Sequence, residues 1–235
     1  MKPMDSLKKP AMMVRLRNSK GFSLIEMAIV LVIIGIIIAA IIKGQDLMLN
    51  SRAKQLVSTA NSWKIATYGF MDRNGKFPGD STPATGNIDS AATTAISSIA
   101  TTMSQTPQNP VLIGGQSWYF YITSMDTGGA GLRNVMLVCT NATCTQVLSN
   151  EDTEMLKALD TSIDGSVGAG TGAIRSLIGS GTVTASGTAA YGNRATSSVA
   201  QIPSTDLSDV TASGSTTPIW SNTNYGAVWF FDKPI

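Results

Sequence analysis

The sequence predicts an α+β protein in which one long N-terminal helix packs on an antiparallel β-sheet head. An apolar segment over residues 22–42 is long enough to cross a bilayer as a helix. An amphipathic helical pattern continues it to about residue 74. Short alternating apolar segments, separated by turn residues, then indicate the strands of a head that is large enough to bury its own core.

Charge distinguishes the first residues from the rest of the chain. Residues 1–21 hold six of the 17 basic residues and one of the 15 acidic residues, and the remainder is mildly acidic. Basic residues before an apolar segment place the N-terminus in the cytoplasm. No stripe of Lys and Arg remains after residue 21, which argues against nucleic-acid binding.

The apolar segment over residues 22–42 has Ser23 and Glu26 as its only polar side chains. As an α-helix it would be about 32 Å long. A cleavable secretory signal peptide is the alternative, but its apolar core runs only ~7–15 residues and ends at a small-residue cleavage site. Here the polar residues 43–46 follow instead. The segment is therefore predicted to remain as a membrane anchor.

Glu26 is unexpected in a simple anchor, because an ionised carboxylate inside the bilayer costs at least ~2.5 kcal/mol and usually has a function. A snorkelling or protonated carboxyl without a role is the alternative. The run Lys20-Gly21-Phe22-Ser23-Leu24-Ile25-Glu26, followed by the apolar segment, closely resembles the class III leader motif of type IV prepilins and type II secretion pseudopilins. The resemblance covers residues 15 to about 80 well and the head only loosely.

The resemblance implies a pilin-like, lollipop-shaped fold and a processing step. Residues 1–21 would be the leader peptide, residues 22–74 the N-terminal helix (22–42 transmembrane, 43–74 amphipathic and packed on the head) and residues 75–235 the extracytoplasmic head. Prepilin peptidase would cleave between Gly21 and Phe22 and methylate the new amine of Phe22. The precursor would lie in the bacterial inner membrane, and its product in an extracellular pilus or a periplasmic pseudopilus.

The resemblance also implies a structural function, as the homopolymeric subunit of a helical filament, with an inner-membrane assembly platform and other pilins as partners. Phe22 and Glu26 would be the subunit-assembly residues. The amine on Phe22 of one subunit can neutralise the carboxylate of Glu26 in a neighbour, where a lone buried charge is costly.

Two features keep alternatives open. Many major pilins carry a proline within this helix, whereas residues 22–73 contain none, and Gly35 and Gly44 are the weak points. A pseudopilin or minor pilin is therefore the alternative within the family. The alternative outside the family is a non-polymerising single-pass receptor, adhesin or enzyme. Cleavage at Gly21 with methylation of Phe22 would distinguish a pilin-like subunit from such a protein.

The second half of the helix is predicted to hold the head through an apolar stripe at helical spacing: Leu49, Ala53, Leu56, Ala60, Trp63, Thr67 and Phe70. Asn74-Gly75 and Pro78-Gly79 end it, and Asp80 completes a turn that resembles one in some pilin-like proteins. Beyond this turn the pattern predicts a short helix near 91–103, strands over 117–123, 134–139, 143–148 and 225–231, and a helix over 150–163 capped by Asn150 and followed by Gly165. Residues 165–217 are rich in small and polar residues and suit loops and edge strands.

Cys139 and Cys144 are the only cysteines, and a short-spaced pair in an exported protein predicts one disulfide, here closing a hairpin loop. Reduced structural thiols are the alternative. Asp160 and Asp164 could suggest a calcium loop, but their spacing lacks the dense oxygen pattern of one, which favours a cap-and-turn role. The chain has no histidine to activate a nucleophile. We therefore predict no catalytic residue, no metal site and no cofactor, and a protein that is not an enzyme.

Overall fold

The computed structural model describes residues 21–80, 84, 86–88, 92–126, 132–168, 172–177 and 220–232. These residues form three helices, α1 (Leu24–Asn74), α2 (Ala92–Thr102) and α3 (Asn150–Asp164). They also form five strands, β1 (Val111–Ile113), β2 (Gln116–Asp126), β3 (Leu132–Cys139), β4 (Ile174–Leu177) and β5 (Gly226–Phe230). The chain divides into two compact units, Met1–Gln45 and Asp46–Ile235.

The strands form one antiparallel sheet in the order β1-β2-β3-β5-β4, which confirms the predicted α+β class. Residues 1–20 of the predicted leader and most of the segment over residues 165–217 lie outside the described residues. Strand β1 was not predicted, and its short ladder pairs Val111 with Trp118. The side chain of Asn109 extends this ladder, since it both donates to and accepts from the backbone of Phe120, at 2.7 and 3.0 Å.

In the unit Asp46–Ile235, α1 buries the predicted apolar stripe. Leu56 and Ala60 are fully buried, Leu49 packs at the edge of the core, and Ala66 joins the stripe although the sequence pattern had not included it. The helix ends as predicted, because Gly75 adopts the left-handed conformation (φ 70°) that favours glycine. Its N–H donates to the carbonyl of Met71 at 2.8 Å.

The sheet buries both of its faces. The face that contacts α1 carries alternate residues of neighbouring strands in register, such as Phe120 opposite Val138 and Met136 opposite Trp229. The intervening residues form a second apolar cluster on the other face: Tyr121, Met125, Val135, Leu137, Leu177, Val228 and Phe230. The strict alternation fixes the register, since a slip of one residue would exchange the two faces.

Arg52 connects α1 with two other parts of the head. Its guanidinium forms an ion pair with Glu151 in the first turn of α3. It also covers Gly114 in the turn between β1 and β2, where an added Cβ would collide with the guanidinium. Gly114 has a φ of 62°, so this turn needs glycine for its conformation.

Two sequence predictions in the head are wrong. Residues 143–148 do not form a strand, so Cys139 and Cys144 close a turn after β3 rather than a hairpin loop. The cap of α3 is Ser149 and not Asn150, which is already the first helical residue. Ser149 and Asp152 form a reciprocal capping box, and Gly165 ends the helix in the left-handed conformation, as predicted.

The run from Pro78 to Asp80 forms the predicted turn after α1, and a buried carboxylate holds it. Asp80 accepts a hydrogen bond from the backbone N–H of Gly86 at 3.0 Å, and Gly79 has a φ of 79°. Asn134 of β3 then holds the returning chain, donating to the carbonyl of Gly86 at 2.9 Å and accepting from the N–H of Ile88 at 2.9 Å. The connection to α2 is therefore fastened to a central strand of the sheet.

Candidate functional site: the N-terminal motif and the disulfide loop

The junction between Gly21 and Phe22 lies outside the helix. Residues 21–23 have no regular structure and are exposed, and the side chain of Phe22 is 79% exposed. The helix begins at Leu24 because the carbonyl of Ser23 accepts the first helical hydrogen bond, from the N–H of Met27 at 3.2 Å. The predicted cleavage point therefore sits on an accessible, non-helical segment just before the helix.

Glu26 has a hydrogen-bonding role in its own chain. Its Oε2 accepts from the backbone N–H of Ser23 at 2.8 Å, the contact by which the third helical residue satisfies the donor of the capping residue. A carboxylate in the first turn also suits the positive end of the helix dipole. The Ser-x-x-Glu spacing before an apolar run signals such a cap, so Ser23 is a residue that sequence reasoning missed.

The apolar segment after Glu26 is exposed on all sides. The helix α1 is the one described helix long and apolar enough to cross a membrane by length and composition, and none of its most apolar window, with mean hydropathy 3.1, is buried. Leu31 is 69% exposed and Ile36 is 66% exposed. Leaving apolar surface in water costs about 25 cal/mol per Å² in free energy. Such a segment needs lipid or other protein around it.

The predicted disulfide between Cys139 and Cys144 is confirmed, and both residues are fully buried. The short loop that it closes is held by the side chain of Asn141, whose Oδ1 accepts from the N–H of Thr145 at 3.0 Å. Cys144 has a φ of 53°, which turns the chain away from the sheet. The side chain of Asn141 thus satisfies backbone donors that a partner strand would otherwise bind.

Tyr121 of β2 also holds this loop in place. Its hydroxyl donates to the carbonyl of Ala142 at 2.8 Å. Burial, with a contribution from neighbouring Tyr119, raises the pKa of Tyr121 to about 12. The phenol therefore stays protonated and keeps donating at any physiological pH.

Asp160 and Asp164, the residues of the calcium alternative, each accept hydrogen bonds from nearby groups. Among the described residues, no group of three or more acidic or cysteine side chains lies together as a metal site would require. Asp160 instead accepts from the N–H of Gly168 at 2.7 Å and from the indole of Trp220 at 2.9 Å. Asp164 accepts from the N–H of Ile174 at 3.0 Å. Both carboxyls therefore have the turn-stabilising role that their spacing favoured.

Comparison with known proteins identifies the N-terminal segment. Residues 16–42 match a family model described as the prokaryotic N-terminal methylation motif. The match spans the end of the basic segment, the Gly21-Phe22 junction, Glu26 and the apolar run. No curated protein and no solved structure matches the chain. The chain thus carries the class III prepilin signal of type IV pilins and pseudopilins, which indicates a pilin-like or pseudopilin-like precursor.

Proposed function

We propose that this protein is the structural subunit of a type IV pilus-like filament, which polymerises through its N-terminal helix. Prepilin peptidase cleaves the precursor between Gly21 and Phe22 and methylates the amine of Phe22. Residues 1–21 leave as the leader, residues 22–74 form the assembly helix, and residues 75–235 form the extracytoplasmic head. The methylation motif supports the processing step, and the antiparallel sheet on α1 suits a pilin-like head.

The observation that carries the proposal is the lone carboxylate of Glu26 at the start of an exposed apolar helix. One of its oxygens, Oε2, binds Ser23 in the same chain. The carboxylate can still accept a cationic donor through Oε1, because an ionised carboxyl has about four acceptor sites. Cleavage would create such a donor, the amine of Phe22, which a neighbouring subunit can present. Pairing the two charges removes the cost of burying either alone.

The apolar segment has two successive environments in this proposal. Before assembly it spans the bacterial inner membrane as a single pass, for which its length and hydropathy are sufficient. After assembly the same residues pack against the helices of other subunits in a pilus or pseudopilus. An inner-membrane assembly platform and other pilins of the machine would move the subunit from one environment to the other.

A pseudopilin of type II secretion or a minor pilin is the second candidate. The helix α1 runs without a break over Leu24–Asn74 and contains no proline, unlike many major pilins. A subunit with an unbroken helix suits a short pseudopilus or a filament tip as well as a long pilus. Either role is structural rather than catalytic.

Intact-mass analysis of the subunit, taken from sheared surface filaments and from membranes, tests the proposal. We expect a mature chain that begins at Phe22 and is one methyl group heavier than its sequence. A chain that begins after Ile42, as a secretory signal would give, contradicts the proposal. So does a chain that retains residues 1–21 in every fraction, which would indicate a single-pass receptor or adhesin.

A further inference from the structure

The last two turns of α3 carry two carboxyl groups that hold the C-terminal part of the head together. Asp160 is fully buried, and its Oδ2 accepts from the N–H of Gly168 and the indole of Trp220. Asp164 accepts from the N–H of Ile174. Through these bonds α3 contacts the chain that leaves it, the first residue of β4 and the residue at position 220 that precedes β5.

The second oxygen of Asp160 is left without a donor. Its Oδ1 is buried and has no hydrogen-bond partner. Asp164 follows Asp160 by four residues in α3, so the two carboxyl groups lie on the same face of the helix. Two ionised carboxylates have no proton between them, so a bond between Asp160 and Asp164 requires that one of them be protonated.

The surroundings leave little room for the pair to separate. An added Cβ at Gly172 would collide with the carboxylate of Asp164, so the backbone of Gly172 lies directly against that carboxylate. The nearby cations interact elsewhere or lie on other surfaces: Arg52 pairs with Glu151, Lys157 pairs with Glu154, Arg175 lies over the ring of Phe230, and Lys54 lines the groove between α1 and α3. Among the described residues, Asp164 is thus the charged group that acts on Asp160.

We propose that Asp160 and Asp164 share one proton and form an acid-favoured clasp that closes the C-terminal part of the head. On acidification Oδ1 of Asp160 takes a proton from water and donates it in a hydrogen bond to the carboxylate of Asp164. Oδ2 of Asp160 continues to accept from Gly168 and Trp220. The clasp is independent of polymerisation, since none of its members lies in the N-terminal helix.

Burial raises the pKa of Asp160 above its ordinary value, although the bonds from Gly168 and Trp220 lower it, and the charge of Asp164 raises it further. A carboxyl whose pKa is higher in the folded state binds its proton more tightly when folded. The clasp therefore contributes stability below the ordinary aspartate pKa and loses it as the pH rises through the folded-state pKa. In neutral solution the two carboxylates repel each other. In mildly acidic solution the shared proton removes this repulsion.

The variant Asp160→Asn in the full-length, detergent-solubilised protein tests this assignment. The carboxamide keeps an oxygen for Gly168 and Trp220 and offers a permanent N–H to Asp164. We expect it to melt a few degrees higher than the wild type at neutral pH, with the difference shrinking to nothing as the pH falls through the acidic range. Glu154→Gln removes an exposed carboxylate from the same helix and should show no such convergence.

A second variant and a spectroscopic signal keep the test decisive if Asp160→Asn folds poorly. Asp164→Asn supplies the missing donor from the other side and should show the same convergence. The indole N–H resonance of Trp220 should titrate with a midpoint above the ordinary aspartate range in the wild type. If both variants are less stable than the wild type at every pH, or if the Trp220 resonance has an ordinary midpoint, the proposal is overturned. Calcium that stabilises the wild type at neutral pH and removes the difference would assign the pair to a cation instead.

Discussion

Glu26 combines a local role with its proposed role between subunits. In its own chain it accepts from the N–H of Ser23 and caps α1. Between subunits it would pair with the amine of Phe22. The two roles need different chemistry, because a cap requires only an acceptor oxygen, whereas neutralising an amine requires a negative charge.

The residue-scale prediction separates these roles with two substitutions. Glu26→Val removes both the acceptor and the charge, and Glu26→Gln keeps the capping oxygen but removes the charge. In cells without the wild-type copy we expect both variants to be cleaved and inserted, and both to form few or no filaments. The reason is that an uncompensated buried cation costs ~3–5 kcal/mol. Electron microscopy of sheared filaments, with intact mass as the control for cleavage, measures the outcome.

The result of Glu26→Gln decides which role drives assembly. Normal filaments from this variant, together with none from Glu26→Val, would show that the cap matters and the charge does not. Normal filaments from both would show that neither role is needed. Glu26→Asp should be an imperfect substitute, since its shorter side chain must still reach the neighbour.

The cap of α3 gives a second residue-scale prediction. Ser149→Ala removes the hydroxyl that accepts from the N–H of Asp152 at 3.1 Å, and we expect a loss of about 1 kcal/mol in the free energy of unfolding. Asn150→Ala is the matched control, since Asn150 is exposed at the first helical position and its replacement should change the free energy of unfolding by at most about 0.5 kcal/mol. Urea unfolding followed by tryptophan fluorescence compares them. An equal or larger loss for Asn150→Ala would contradict the assignment of the cap.

At the scale of elements, the sequence predicted well those that repeat a simple pattern. The stripe on α1 and the central strands were predictable because apolar residues recur there with helical or alternating spacing. The strand over residues 143–148 was predicted wrongly because Val147 and Leu148 suggest a strand, while Asn141 provides the local bonds that replace a partner strand. Hydrogen bonds of this kind, from a side chain to the nearby backbone, do not change the hydrophobic pattern. The pattern therefore cannot reveal them.

The disulfide loop gives the element-scale prediction. Cys139→Ser should leave Cys144 as a free thiol. It should lower the free energy of unfolding by only about 2–3 kcal/mol, because the bridge encloses few residues. The bonds of Asn141 and Tyr121 should keep the head folded. Thiol titration before and after denaturation, with urea unfolding, measures both effects. Full reaction of the wild-type protein before denaturation would contradict the bridge.

At the scale of the molecule, the N-terminal motif was the most predictable part. Gly21, Phe22 and Glu26 lie in one short segment whose chemistry is local, so the residues themselves carry the signal. The hydrogen bond from Trp220 to Asp160 could not be predicted, because the two residues are far apart in the chain and only the folded topology brings them together. The same applies to the ion pair of Arg52 with Glu151.

The order of the strands has a consequence for how the head is made. Strand β5 follows β4 in the chain but lies between β3 and β4 in the sheet. If the head folds outside the cytoplasm, as proposed, β4 has no described neighbour in the sheet until Gly226–Phe230 have crossed the membrane. The edge of β3 that pairs with β5 also stays unpaired until these residues arrive. An unpaired strand edge can pair with other chains. Translocation of β5 therefore sets the moment at which the described edges of β3 and β4 are paired.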